Sequence, residues 1–133
     1  MKFTSRKLPT DADTIAPDGS EVRLLLTLSG GSVASFRLKK GEISKAGVHK
    51  TVDEIWYILN GHGEIWRQAA DNSSEITELC PDLCLTIPVG THFQFRAYES
   101  ADLSVVAVTM PPWPTDSKDE WVEVTPYWPE VTI

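Results

Sequence analysis

The chain has 133 residues and a formal charge of −7, with 12 Lys and Arg scattered against 19 Asp and Glu. That excludes a nucleic acid or an anionic membrane as partner, because both are held by a basic face that displaces counterions. Hydrophobic residues are 41% and charged residues 23%, an ordinary globular composition, and the length suits one domain over 1–133 with core enough to stand without disulfides. The start, Met1-Lys2-Phe3-Thr4-Ser5-Arg6-Lys7, lacks the apolar centre of a signal peptide, and no run approaches the roughly 20 apolar residues of a membrane helix, so a cytoplasmic protein is expected.

Residues 1–20 are a polar lead-in carrying Pro9, Asp11, Asp13, Pro17, Asp18 and Gly19. A strand is expected over 21–28, then a Gly30-Gly31 turn and a partner strand over 33–38, where Ser35 and Arg37 alternate with Ala34, Phe36 and Leu38. Residues 42–48 are a weaker extended segment. The stretch 49–66 is densest in signals: a β-rich run over 55–59, then Asn60-Gly61, then a second run to Trp66. Asn-Gly favours a type I′ turn, which needs positive φ at both central residues, so 54–66 reads as a hairpin. Further short strands follow at 75–79, 83–87, 91–98 and 103–109. No window sustains helical periodicity beyond about two turns. Short strands at about 8–12-residue spacing, punctuated by Gly and Pro, make this an all-β sandwich or barrel with little or no helix.

From residue 110 the composition changes. Pro111, Pro112, Pro114, Pro126 and Pro129 interleave with Trp113, Trp121 and Trp128. Proline keeps a segment extended and cannot donate to a ladder, so 110–133 is expected to run over a surface. Its tryptophans must cover something: the chain's own core, a second subunit of a homodimer, or a ligand. Cys80 and Cys84 are the only cysteines. With no His beside them they complete no zinc site, and they read as small, semi-buried apolar side chains rather than a redox pair or disulfide.

His49 and Glu54 are the candidate catalytic residues. A His and a carboxylate opening into an apolar barrel can do acid–base work, because burial and mutual contact move both pKa values towards neutrality. Trp56 lies on the same strand face as Glu54 by alternation. Phe93 and Phe95 offer further aromatic walls, and the pocket suits a small, partly apolar or ring-shaped ligand. The bland alternative is that His49 and Glu54 only bond each other at a strand end. Asp53 points away from Glu54, His62 is expected to be exposed, and Arg67 and Arg96 belong to a solvated sheet face.

These residues resemble the cupins, whose first motif runs G-x5-H-x-H-x3–4-E-x6-G and whose second runs G-x5-P-x-G-x2-H-x3-N. His49, four residues, Glu54, six residues and Gly61 reproduce H-x4-E-x6-G in register, and Pro88-Val89-Gly90 matches P-x-G, with Asp82 at the preceding glycine position. The resemblance covers about residues 40–110. It implies a single-domain double-stranded β-helix, a jelly-roll barrel. In metal-binding members, two motif-one histidines, the glutamate and the motif-two histidine hold a divalent Fe, Mn, Ni, Cu or Zn.

Carried across, the first histidine position falls on Gly47, the second on His49 and the glutamate on Glu54. An ungapped second motif puts its histidine on Phe93 and its asparagine on Ala97, with His92 one residue early. A one-residue slip turns a strand's side chains over, so two arrangements are open. In the ungapped register Phe93 and Phe95 point inward and His92 points out. With a one-residue deletion at Gly90-Thr91, His92 and Gln94 turn inward, and His49, Glu54 and His92 become metal ligands with Gln94 in the pocket. The function implied is a small-molecule enzyme of oxygenase, isomerase or lyase type, metal-dependent or a metal-free acid–base isomerase. The alternative is a metal-free binding or sensor protein without turnover.

Overall fold

The computed structural model describes residues 2–130 and 132. Its strands, in chain order, are β1 (Thr14–Ile15), β2 (Glu21–Leu28), β3 (Gly31–Leu38), β4 (Gly47–His49), β5 (Asp53–Asn60), β6 (Gly63–Gln68), β7 (Ser74–Leu79), β8 (Cys84–Ile87), β9 (His92–Ala97), β10 (Leu103–Met110) and β11 (Trp121–Glu123). They form two antiparallel sheets, ordered β1-β2-β3-β10-β5-β8 and β11-β4-β9-β6-β7. No helix occurs among the described residues, and so none there is long and apolar enough to cross a membrane. The fold is all-β, a jelly-roll barrel.

Period-two alternation builds the core. Along β5, Glu54, Trp56 and Ile58 are buried while Asp53, Ile55, Tyr57 and Leu59 are exposed. On β9, Phe93 and Phe95 face Trp56 across the barrel, with ring centroids 6.0 and 5.0 Å from it. Branched and aromatic side chains on every other residue suit a pleated surface with one face buried.

Residues 60–62 do not close the expected hairpin. β5 pairs with β10 and β8, whereas β6 pairs with β9 and β7. Asn60-Gly61-His62 therefore carries the chain from one sheet to the other. Of the two turn residues only Gly61 has positive φ, at 89°, so the type I′ geometry is absent. Gly61 is still required, because a Cβ there would press into the Asp102 carbonyl. Two β-rich runs around Asn-Gly give the same local signal whether they pair with each other or with distant strands. Asp82, at the glycine position of the second motif, adopts φ 73°, a left-handed conformation that aspartate tolerates better than most residues.

The weak segment 42–48 contributes only β4, which includes His49, and a bridge from Ile43 to Arg96. The Pro/Trp-rich segment returns over the barrel. Trp113 enters the core against Phe36, with centroids 5.8 Å apart, and its backbone N–H donates to Ser32 Oγ at 3.0 Å. β11 extends the second sheet by pairing with β4, which sets Trp121 opposite His49. Farther on, the Trp128 backbone N–H donates to Gln94 Oε1 at 2.8 Å, and the Trp128 ring lies 4.5 Å from the Arg96 guanidinium. The tail tryptophans thus cover the chain's own barrel.

Candidate functional site at the barrel mouth

β4 and β5 bring His49 and Glu54 together at one end of the barrel. His49 Nε2 lies 2.6 Å from Glu54 Oε2. The other imidazole nitrogen, Nδ1, lies 2.9 Å from both oxygens of Glu120. Glu120 immediately precedes β11, and its carbonyl accepts from the Lys50 N–H at 2.6 Å. Strand addition by the tail is therefore what delivers the second carboxylate. The Trp56 indole N–H completes the set by donating to Glu54 Oε1 at 2.9 Å. All four side chains are buried, and buried charges persist only when paired and hydrogen-bonded in this way.

The electrostatics depart from the expected drift towards neutrality. Burial, the largest single influence on His49, disfavours its charged form. The hydrogen bonds and charges of Glu120 and Glu54 outweigh it, and the pKa rises to about 10. His49 is an imidazolium clamped between two carboxylates. Asp18 faces the same cavity and its pKa is also raised, by burial first and then by the negative charge of Glu54, against the opposing hydrogen bonds from Ser20.

The walls are aromatic. Phe93 stacks 5.7 Å from the His49 ring, and Trp121 sits edge-on at 5.3 Å. Phe36, Trp56 and Trp113 line the rest. The free interior is about 10 Å³, roughly the room for one water molecule. Beside it lies an open groove of about 390 Å³ between 14–17 and 113–121 that shares Pro17, Trp113 and Trp121 with the inner cavity.

No family model and no curated protein matches the sequence. Solved structures do match. The capsular polysaccharide assembling protein CapF from Staphylococcus aureus superposes with a TM-score of 0.67 at 16% identity, over 82% of this chain and 32% of that one. The chain spans about a third of the length of the CapF structures it matches. A Streptomyces PAC13 variant with uridine gives a TM-score of 0.67 at 12% identity, over 92% of both chains. A Klebsiella pneumoniae protein with a double-stranded β-helix domain gives 0.64 at 12% identity, over 85% of this chain and 90% of that one. This chain has the cupin fold. Such identities establish architecture, while activity has to be argued from the site.

The cupin ligand positions are Gly47, His49, Glu54 and, without a gap, Phe93. In the structure Gly47 pairs directly with Phe93 across β4 and β9, and a side chain at 47 would collide with the Trp121 ring. The space of two metal ligands is therefore filled by a phenyl and an indole. His92 pairs with Val48 on the face of β9 opposite to Phe93, so the triad His49, Glu54 and His92 is not assembled. Gln94 shares that outer face. It is fully buried there, donating to the Ser44 and Trp128 carbonyls at 2.8 and 3.0 Å, and takes no part in the pocket. Phe95 lies one layer deeper, against Trp56.

Among the described residues no three His, Cys, Asp or Glu side chains converge as metal donors. The donor set as arranged does not fit a divalent metal.

The other candidates fall where alternation puts them. Asp53 faces outward and accepts the Val89 N–H at 2.8 Å, and His62 is exposed. Arg67 reaches Thr86, Glu75 and Thr77, and Arg96 pairs with Glu64. Cys80 and Cys84 are free thiols, half-buried and exposed respectively. The residues that sequence reasoning missed are Asp18 and Glu120, whereas Trp113 and Trp121, expected to cover the core, a second subunit or a ligand, line the cavity. Asp18 was hidden in an ordinary Pro-Asp-Gly turn, and nothing local separates Glu120 from the solvated acids beside it.

Proposed function

We propose that this protein is a small-molecule-binding cupin that works without a metal, holding its ligand at the barrel mouth with the Glu54–His49–Glu120 clamp and the surrounding aromatic walls. The observation that supports this reading is the engagement of both His49 nitrogens by carboxylates at 2.6 and 2.9 Å. With its pKa raised to about 10 by the two carboxylates, His49 is held as an imidazolium at pH 7. An efficient general base titrates near the working pH, so binding suits this imidazole better than turnover. As an imidazolium it instead orients Glu54 and Glu120. A ring-shaped ligand has a precedent in the same architecture, the uridine found with PAC13. The free thiols agree with a reducing, cytoplasmic place of action.

The test is a thermal-shift screen of nucleosides, sugars and small amines, followed by prolonged incubation with each stabilising compound. The expected result is stabilisation that His49→Ala abolishes, with the ligand recovered unchanged. Conversion of the ligand would instead make the site an acid–base isomerase. Retention of a divalent metal above about a tenth of stoichiometry after reloading and dialysis would overturn the metal-free reading.

We also infer a homodimer, formed through the outer face of the six-stranded sheet rather than the tail. Ile55, Tyr57, Leu59 and Val108 are exposed there, and register sets Val108 beside Ile55. Contiguous apolar surface of this kind marks association sites. Sedimentation velocity is expected to show a dimer that Ile55→Lys dissociates; a monomeric wild type refutes it.

A further inference from the structure

The carboxyl groups that line the inner cavity outnumber its basic groups. Asp18 is only 7% exposed and borders the cavity. Its Oδ1 accepts from the Ser20 N–H and Oγ–H at 2.9 and 2.7 Å, while its second oxygen has no hydrogen-bond partner among the described residues. Glu54 lines the same cavity, and Glu120 stands behind His49. Against these three carboxylates His49 is the one basic group, and neither Lys nor Arg lines the interior. Lys118 borders only the outer groove. A carboxyl oxygen left free beside a cavity is open to a donor from a bound molecule.

Size and walls narrow the choice. Room for one water also admits an ammonium group, whose three donors suit the free Asp18 oxygen. Trp113 and Trp121 border both the inner cavity and the groove, and indole rings attract positive charge. The groove, about 390 Å³ and bordered by Ile15, Pro17, Trp113, Pro114 and Trp121, has room for the remainder of a small molecule, and its shared indoles favour an aromatic one.

We infer that the site selects a primary amine, its ammonium head seated against Asp18 between Trp113 and Trp121 and its apolar remainder lying in the groove. This rests on the pocket being a binding site and names the class of ligand. An anion would meet the carboxyl groups of Asp18 and Glu54, and a quaternary ammonium would be too large for the interior.

The test is calorimetry on the whole protein with three probes of matched shape: 2-phenylethylamine, 2-phenylethanol and 3-phenylpropanoate. The amine is expected to bind at least about tenfold more tightly than the alcohol, the carboxylate not at all, and Asp18→Asn to erase the difference between amine and alcohol. Equal binding of amine and alcohol by wild-type protein overturns the selectivity while leaving the pocket a binding site. That comparison needs no variant, so a misfolded Asp18→Asn cannot obscure it. Failure of all three probes overturns the amine proposal, and the wider screen then decides separately whether the pocket binds anything.

Discussion

Glu120→Gln is the substitution that most directly probes the clamp. Glutamine matches glutamate in shape but removes one of the two charges that hold His49 protonated. Hydrogen bonds to charged groups contribute about 1.5–3 kcal/mol, and removing one partner of a buried ion pair costs about 3–5 kcal/mol. Because Gln can still accept from Nδ1–H, a loss of about 2–3 kcal/mol at pH 6 is expected.

The pH dependence is the sharper test. His49 has its pKa raised from 6.5 to about 10, so its contribution to stability is fully present below pH 6.5 and is lost as pH rises towards 10. The whole shift corresponds to a ceiling of about 5 kcal/mol. Urea unfolding followed by tryptophan fluorescence, at intervals from pH 6 to pH 10, measures it. The gap between wild type and Glu120→Gln is expected to be widest at pH 6 and to narrow steadily towards pH 10. A gap that stays constant across that range would show that His49 is not protonated between the two acids, and the reasoning would fail.

Other changes test the packing around the clamp. Gly47→Ala places a Cβ inside the Trp121 ring, and overpacking of this kind costs about 1–3 kcal/mol. In a Trp121→Ala background the same change is expected to cost under about 0.5 kcal/mol, and simple additivity in the double-mutant cycle would refute the contact. Asp18 has its pKa raised from 3.8, chiefly by burial, so its contribution favours folding below pH 3.8 and is lost as pH rises through its folded-state pKa. Asp18→Asn keeps an acceptor for Ser20 and is expected to raise the unfolding free energy at pH 8 by about 0.5–2 kcal/mol, a gain of the kind found where a site trades stability for function. A less stable variant at pH 8 would contradict it.

The His49–Glu54 pair could be read from sequence because both residues lie within one short stretch whose spacing matches a known motif. The same stretch misled at Asn60-Gly61, where local turn chemistry outweighed what the inward faces demand. Pairing β5 with β10 and β8 buries Trp56 and Ile58 inside the barrel, and that long-range burial overrides a two-residue turn preference. The register of β9 was open in sequence because Phe93 and Phe95 alternate with His92 and Gln94, and either set can be buried. Indeed Gln94 is as buried as the phenylalanines, but under the tail rather than inside the barrel.

Alternating side chains and turn residues by themselves determined that this chain is all-β, and the match to the cupin motif singled out His49 and Glu54 as a pair. Those are short-range signals, each written within a few residues. Tertiary structure alone decided that Glu120 closes on His49, that Trp121 fills the space over Gly47, and that Asp18 joins them. These residues meet because β11 pairs with β4 and the 14–17 segment borders the barrel mouth. A carboxylate's role is set by what desolvates it and what it faces, and neither is encoded by its neighbours in the chain.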